Sequence, residues 1–173
     1  MCLMKSISDE VEMEIRKTTR EDLPRVMEIY ALAREFMAKT GNPDQWKTHK
    51  PAPELIVGDI EKGQGYVCVD SGKIVGVLAL IHGEDPTYKV VYNGKWLYDE
   101  PYVTVHRIAS SGEVKGTGTF MMKWAESQFP HVRIDTHKDN RVMRNMLAKL
   151  GYAYCGIIHL EDGDERLAFE KKI

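Results

Sequence analysis

A strand that runs directly into a glycine loop and then a helix constrains this chain more than any other feature. Tyr102-Val103-Thr104-Val105-His106-Arg107-Ile108-Ala109 reads as an apolar strand. The loop is Ser110-Ser111-Gly112-Glu113-Val114-Lys115-Gly116-Thr117-Gly118-Thr119, and Phe120 to Glu126 is helix-forming. That order presents free backbone N–H groups together with the positive end of a helix dipole. It is a ready place for a phosphate. The glycines let the backbone approach an anion with no Cβ in the way.

The loop excludes two familiar phosphate sites. A P-loop ends in Gly-Lys-Ser/Thr, but here Lys115 precedes Gly116. A Rossmann turn needs a third glycine, and position 121 is Met. What remains is a basic residue followed by Gly-x-Gly at a strand-to-helix junction. Lys115-Gly116-Thr117-Gly118-Thr119-Phe120 resembles the pyrophosphate loop of the GNAT superfamily of acyl-CoA-dependent N-acyltransferases, which reads Arg/Gln-Gly-x-Gly-x-Gly/Ala. A plain two-glycine turn and an unrelated α/β phosphate binder are the alternatives.

A second motif follows in the same register. His131 to Thr136 reads as a strand, and Asn140 to Tyr152 follows it. The family pattern there is an Asn at the mouth of a helix, then Lys-x-Gly-Phe/Tyr leading into a strand; Asn140, Lys149, Gly151 and Tyr152 match it. Met143, Met146, Leu147 and Leu150 form one helical face. Asp139 or Asn140 suits the cap, and Gly151 suits the C′ position.

The remaining elements are read from periodicity. Met13 to Thr18 is a first strand. Thr18 with Glu21 is a better capping box for the next helix than Thr19 with Asp22. Leu23, Val26, Met27, Tyr30, Ala33 and Met37 form its stripe, and Gly41-Asn42-Pro43 stops it. Pro53 to Ile60 is a shorter helix. Gly65 to Val69 and Lys73 to Ile81 read as a hairpin across Asp70-Ser71-Gly72. Ile74 to Ile81 is almost wholly apolar, so that strand is expected to be central. Tyr152 to Leu160 and Arg166 to Lys171 are the last strands. Residues 13–173 are thus a single domain, and residues 1–12 an N-terminal extension too short and charged for a signal peptide. The Gly83–Glu100 connection is long and aromatic, with a turn at Asn93-Gly94; such loops carry function or structure of their own.

Composition narrows the function classes. With 173 residues the chain buries a real core. A net charge of −2 argues against a general nucleic-acid or membrane-surface binder. No apolar run approaches the roughly 20 residues that span a bilayer. Cys2, Cys68 and Cys155 lack Cys-x-x-Cys spacing, and buried thiols in a reducing cytoplasm are expected. The six histidines are scattered without metal-ligand spacing, so no metal is expected. There is no Gly-x-Ser-x-Gly elbow.

The resemblance implies an α/β fold with a mixed, mostly antiparallel sheet, helices on both faces and a splayed strand pair. It implies transfer of an acetyl group from acetyl-CoA to a primary amine in a ternary complex, in a monomer or homodimer. The acceptor is a small-molecule or peptide amine. Lys115, Gly116, Thr117, Gly118 and Thr119 are the cofactor loop; Ile108 and Ser110 offer backbone to the pantetheine, and Asn140 its side chain. Phe120 stands where the family has a small residue, its N–H still on offer. Leu147 stands where many members carry the Tyr that protonates the thiolate; water or another residue such as Tyr154 is left for that role. A CoA-binding module without turnover is therefore the second reading. For a base, histidine has a usable intrinsic pKa near 6.5. His106 is the candidate, or else a histidine bonded to a neighbour in the sheet. Gln45, Trp46 and His137 are expected on the acceptor side, with Tyr88, Trp96 and Tyr98 of the long loop. Trp46 either stacks on substrate or covers the core edge.

Overall fold

The structure, a computed structural model, describes residues 13–173. The extension at 1–12, with Cys2, lies outside the described residues. The chain forms β1 (Met13–Lys17), a 3₁₀ turn (Arg20–Asp22), α1 (Leu23–Lys39), α2 (Pro53–Glu61), β2 (Gly65–Asp70) and β3 (Lys73–His82). A second 3₁₀ turn (Pro86–Tyr88) precedes β4 (Val103–Ser110) and α3 (Thr117–Gln128). Then come β5 (His131–Thr136), α4 (Arg141–Lys149), β6 (Ala153–His159) and β7 (Glu165–Lys172). This is the element order read from periodicity. One sheet holds seven strands in the order β1-β2-β3-β4-β5-β7-β6, antiparallel except at β4–β5.

Helices cover both faces. On one, Met121, Met122 and Ala125 of α3 and Leu147 of α4 pack on Val75, Leu78, Leu80, Val103, Val105, Val132 and Ile134. On the other, Val26, Ile29, Tyr30 and Ala33 of α1, with Ile56 of α2, pack on Val67, Val77 and Ala109. β3 is buried on both faces over its apolar run, as expected for an inner strand. Full burial of one such Leu or Val contributes about 1.5–3 kcal/mol.

Two local expectations are corrected. The 3₁₀ turn uses Thr19 and Asp22, not Thr18 and Glu21: Asp22 accepts from the Thr19 N–H at 2.8 Å. The reason lies outside the turn. Arg16 on β1 donates to both Asp22 oxygens at 2.7 and 3.0 Å. That bidentate pair and the Thr19 hydrogen bonds outweigh burial and hold the Asp22 carboxyl at about 2. Second, α3 begins at Thr117, not Phe120. Gly116, at φ +85°, is its N-cap, and the Phe120 N–H is spent on the Gly116 carbonyl at 3.0 Å.

The sheet opens at its centre. β4 and β5 pair only at Val103–Val132 and Thr104–Arg133. Beyond that point no strand among the described residues lies against the β5-facing edge of β4. A bulge helps to turn β4 away. Arg107 and Ile108 occupy β4 opposite the single residue Leu78, because Val77 pairs with Ala109 and Ala79 with His106. Arg107 takes φ +52° there, a conformation that costs a non-glycine residue about 1–2 kcal/mol. Its guanidinium is held by Asp59 of α2 at 2.8 and 2.6 Å. Its carbonyl accepts the Tyr30 hydroxyl at 2.7 Å.

Candidate active site

The opening between β4 and β5 holds two adjoining cavities. One, of about 230 Å³, is lined by Phe36 and Met37 of α1, by Ile108, Ser110 and Gly112, and by Gly118, Asn140 and Met143. The other, of about 380 Å³, is lined by Gln45, Trp46, Lys50, His106, Asp135, Thr136, Asn140 and Arg166 among others. Met37, Ile108, Asn140 and Met143 belong to both. A continuous groove therefore runs from the glycine loop, along the free edge of β4, into the second cavity.

The first cavity ends at the start of α3. Gly116 and Lys115 are exposed there, and Gly118 and Thr119 are half-buried. Among the described residues, the backbone N–H groups of Lys115 to Thr119 have no partner. Thr117 is buried, its hydroxyl donating to the Val114 carbonyl at 2.7 Å, which shapes the loop. Unpaired N–H groups at the end of a helix longer than three turns suit a pyrophosphate. The apolar wall above them suits a pantetheine arm. These residues fit acetyl-CoA as a bound substrate.

Asn140 is committed to structure at both ends. Its Oδ1 accepts the Met143 N–H at 3.1 Å, capping α4, and its Nδ2 donates to Gln45 Oε1 at 3.0 Å. Gln45 Oε1 also accepts from Asn42 at 2.9 Å and Thr136 at 3.3 Å. Gln45 is thus the knot that ties the segment after α1 to the ends of β5 and α4. Trp46 lines the second cavity and also meets Tyr30 edge-on at 5.5 Å, so it both faces the groove and covers the core.

His106 points into the second cavity from β4. Its Nε2 lies 2.7 Å from Asp85 Oδ2. Asp85 opens the 3₁₀ turn of the long loop and accepts from the Thr87 N–H at 2.9 Å and hydroxyl at 2.7 Å. Burial opposes its ionisation, but the hydrogen bonds from His106 and Thr87 prevail and hold the carboxyl at about 2. An ionised carboxylate only accepts, so Nε2 carries hydrogen and Nδ1 is the nitrogen left to hold a lone pair in the neutral form of the ring. Among the described residues Nδ1 has no partner. Sequence reasoning missed Asp85; its only signal was an Asp before Pro-Thr in a loop, a pattern suited to a turn cap. Asp135 stands beside this pair on β5 and accepts the buried Tyr88 hydroxyl at 2.6 Å.

Other expected residues lie elsewhere. His137 lines a separate surface pocket with Asp44, Lys47 and Glu165, and its Nδ1 accepts the Asp139 N–H at 3.1 Å. Burial, with Arg166 nearby, lowers its pKa. Tyr154 is exposed on β6, against Phe169, and touches neither cavity. Leu147 is fully buried core. Tyr88, Trp96 and Tyr98 line a different cavity, of about 770 Å³, beneath the long loop. Cys68 and Cys155 are buried, and burial first of all pushes both thiols up to about 11. Among the described residues no three His, Cys, Asp or Glu side chains converge as a metal site, and no helix is long and apolar enough to cross a membrane.

No protein-family model matches the sequence, and no curated protein matches it. Solved structures do. A GNAT-family acetyltransferase from Streptococcus agalactiae is 34% identical over 93% of this chain and 95% of its own, with a TM-score of 0.84. A putative acetyltransferase from Staphylococcus aureus is 21% identical, covering 91% of this chain and 97% of its own, at a TM-score of 0.68. A GNAT-family acetyltransferase from Listeria monocytogenes shares the fold at 17% identity, covering 94% and 96%, at 0.71. The splayed strands, the glycine loop and the identity to the streptococcal protein agree: this chain belongs to the GNAT family of acetyltransferases.

Proposed function

We propose that the protein transfers an acetyl group from acetyl-CoA directly to a primary amine, both bound at once. The observation that carries this reading is the continuity of the two cavities. One ends at unpaired helix N–H groups, the other is lined by His106, whose Nε2 meets Asp85, and they join at Ile108 and Asn140. Acetyl-CoA supplies an activated acyl carbonyl. The loop from Lys115 to Thr119 holds its pyrophosphate, and the free edge of β4 at Ile108 and Ser110 holds its amides. His106 takes the amine proton on Nδ1 while Asp85 fixes the ring and stabilises its cationic form. The amine nitrogen bonds to the acyl carbon and the carbon–sulfur bond breaks. Among the described residues no tyrosine lines either cavity, so the departing thiolate takes its proton from water.

Leu147 in place of a tyrosine supports the second reading, a CoA-binding module without turnover. Release of free thiol from acetyl-CoA with a panel of amines decides. Gly116→Val is the matched control. A β-branched residue at φ +85° is strained, so acetyl-CoA affinity by calorimetry is expected to fall about tenfold or more. Unchanged affinity in that variant would remove the loop from the site. Binding without thiol release across the panel would favour the module.

A further inference from the structure

Arg166 is a buried cation with no carboxylate in contact among the described residues; its field reaches the exposed Asp162, which is itself paired with Lys50 at 3.5 Å. Arg166 sits on β7, 6% exposed, in the wall between the second cavity and the surface pocket that holds His137. Its guanidinium donates only to backbone carbonyls, of Glu165 at 2.9 Å and Gln45 at 3.0 Å. Among the described residues no carboxylate lies within 4.0 Å of it. Arg133, equally buried, shows what the fold does otherwise: it pairs with Glu170 at 3.2 Å and lies over the rings of Trp96 and Tyr102. Arg107 is likewise paired, with Asp59. The neighbouring Glu165 does not serve Arg166, since its carboxylate is exposed and lies 3.9 Å from His159. A buried charge left unmatched is costly. A guanidinium has five donors in a planar fork suited to a carboxylate, and two donations leave most of that fork free.

The sheet places this cation on the same face as the base. Val103, Val105, Val132, Ile134, Leu167 and Phe169 face α3 and α4. Their alternates His106, Asp135 and Arg166 therefore share the opposite face. Asp135 pairs with Ala168, so Arg166 is two residues along β7 from the position facing Asp135. The cavity between them is 380 Å³, a volume suited to a metabolite rather than a protein segment. One end of it holds a guanidinium with no carboxylate in contact, and the other holds His106.

We propose that the acceptor is a small amine that also carries a carboxylate. Its carboxylate is held by Arg166, and its amine is delivered to His106. This rests on the reading of the cavity as the acceptor site of the transferase.

The test compares acids with their own amides. The panel is the twenty L-amino acids and the linear ω-amino acids, each beside its carboxamide, with thiol release followed at saturating acetyl-CoA. For the accepted members the acid is expected to exceed its amide by about tenfold or more in kcat/KM, through KM, as a lost charge-assisted hydrogen bond implies. Arg166→Gln is expected to collapse that ratio, and Arg166→Lys to keep part of it. A ratio measured within one variant does not depend on the fraction folded, so a purely structural role for Arg166 in holding Gln45 would leave it unmoved. Amides used as well as acids, or an undiminished ratio in Arg166→Gln, overturns the proposal while leaving acetyl transfer standing. A second arm needs no turnover: calorimetry of N-acetyl amino acids and N-acetyl amino-acid amides with CoA present. If no amine is acetylated, the transferase reading fails, and this arm still decides whether Arg166 selects a carboxylate.

Discussion

The ion pair between Asp59 and Arg107 bears directly on the opening of the sheet, and Asp59→Asn tests it. The two side chains are about 5% and 15% exposed and share two hydrogen bonds, at 2.8 and 2.6 Å. Asp59 also accepts from Gln64 at 2.8 Å. Replacing Asp59 with Asn keeps the shape and removes the charge, so Arg107 is left buried without an anion. Breaking such a pair from one side costs about 3–5 kcal/mol. The partial exposure of Arg107, and the acceptor that Asn retains, place the expectation at about 2–3 kcal/mol. For a domain of this size that is a fall of roughly 5–10 °C in Tm. Thermal unfolding by circular dichroism reads it. The double variant with Arg107→Met should recover part of the loss, because the stranded cation is gone. A drop below about 2 °C in the single variant would refute the argument that this pair stabilises the bulge. The same variant is expected to weaken acetyl-CoA binding, since Ile108 is the second residue of the bulge and lines both cavities.

Three further expectations follow from the site. Asp85→Asn should lower kcat by about 100-fold if the imidazole needs its carboxylate for orientation and charge, with acetyl-CoA affinity unchanged; retention of most activity would reassign the proton to water. Trp46→Ala should raise the acceptor KM several-fold and lower Tm as well, because Trp46 meets both the groove and Tyr30; a lower Tm with unchanged KM would confine it to packing. Acid should destabilise the fold through Asp22 and Asp85, both held at about 2. Their ordinary value is near 4, so on acidification the unfolded chain takes up these protons first. Their contribution is complete above about pH 5 and is lost as the pH falls toward 2, on the order of 2 kcal/mol each. Denaturant titrations across that range check it, and Asp22→Asn should flatten the slope.

What was legible in the sequence was what depends on neighbours in the chain. Apolar periodicity fixed α1, β3 and the face of α4, and the order of strand, glycine loop and helix located the start of α3, where the groove ends. What stayed hidden depends on partners far along the chain. Nothing in Val103–Ser110 marks Arg107 as a bulge, because the group that holds it, Asp59, is 48 residues away. Thr18-Glu21 looked the better cap, yet Arg16 chose Asp22 from the adjacent strand. Asn140 was visible as a cap, but its bond to Gln45 was not. Arg166 read as one more residue of an alternating strand; only the folded sheet shows it buried beside the cavity with no carboxylate in contact among the described residues.

The long loop supplies the partner of the one histidine on β4. The carboxylate at His106 Nε2 comes not from an adjacent strand but from Asp85 of the loop. The loop therefore has to be held to the sheet, and a buried cluster does so. Glu170 accepts from His131 at 2.8 Å, from Arg133 and from the Leu97 N–H. Burial opposes its ionisation, but these bonds, His131 first, prevail and hold its carboxyl below the usual range. Trp96 donates to the Tyr88 carbonyl at 2.7 Å and stacks under Arg133. Gly94 lets the turn close on β6, where a Cβ would stand 2.0 Å from the Cys155 carbonyl oxygen. The aromatics that looked like an acceptor wall are thus mostly the anchor of the loop. Through Tyr88 to Asp135 and through Asp85 to His106, that anchor sets the polar end of the second cavity.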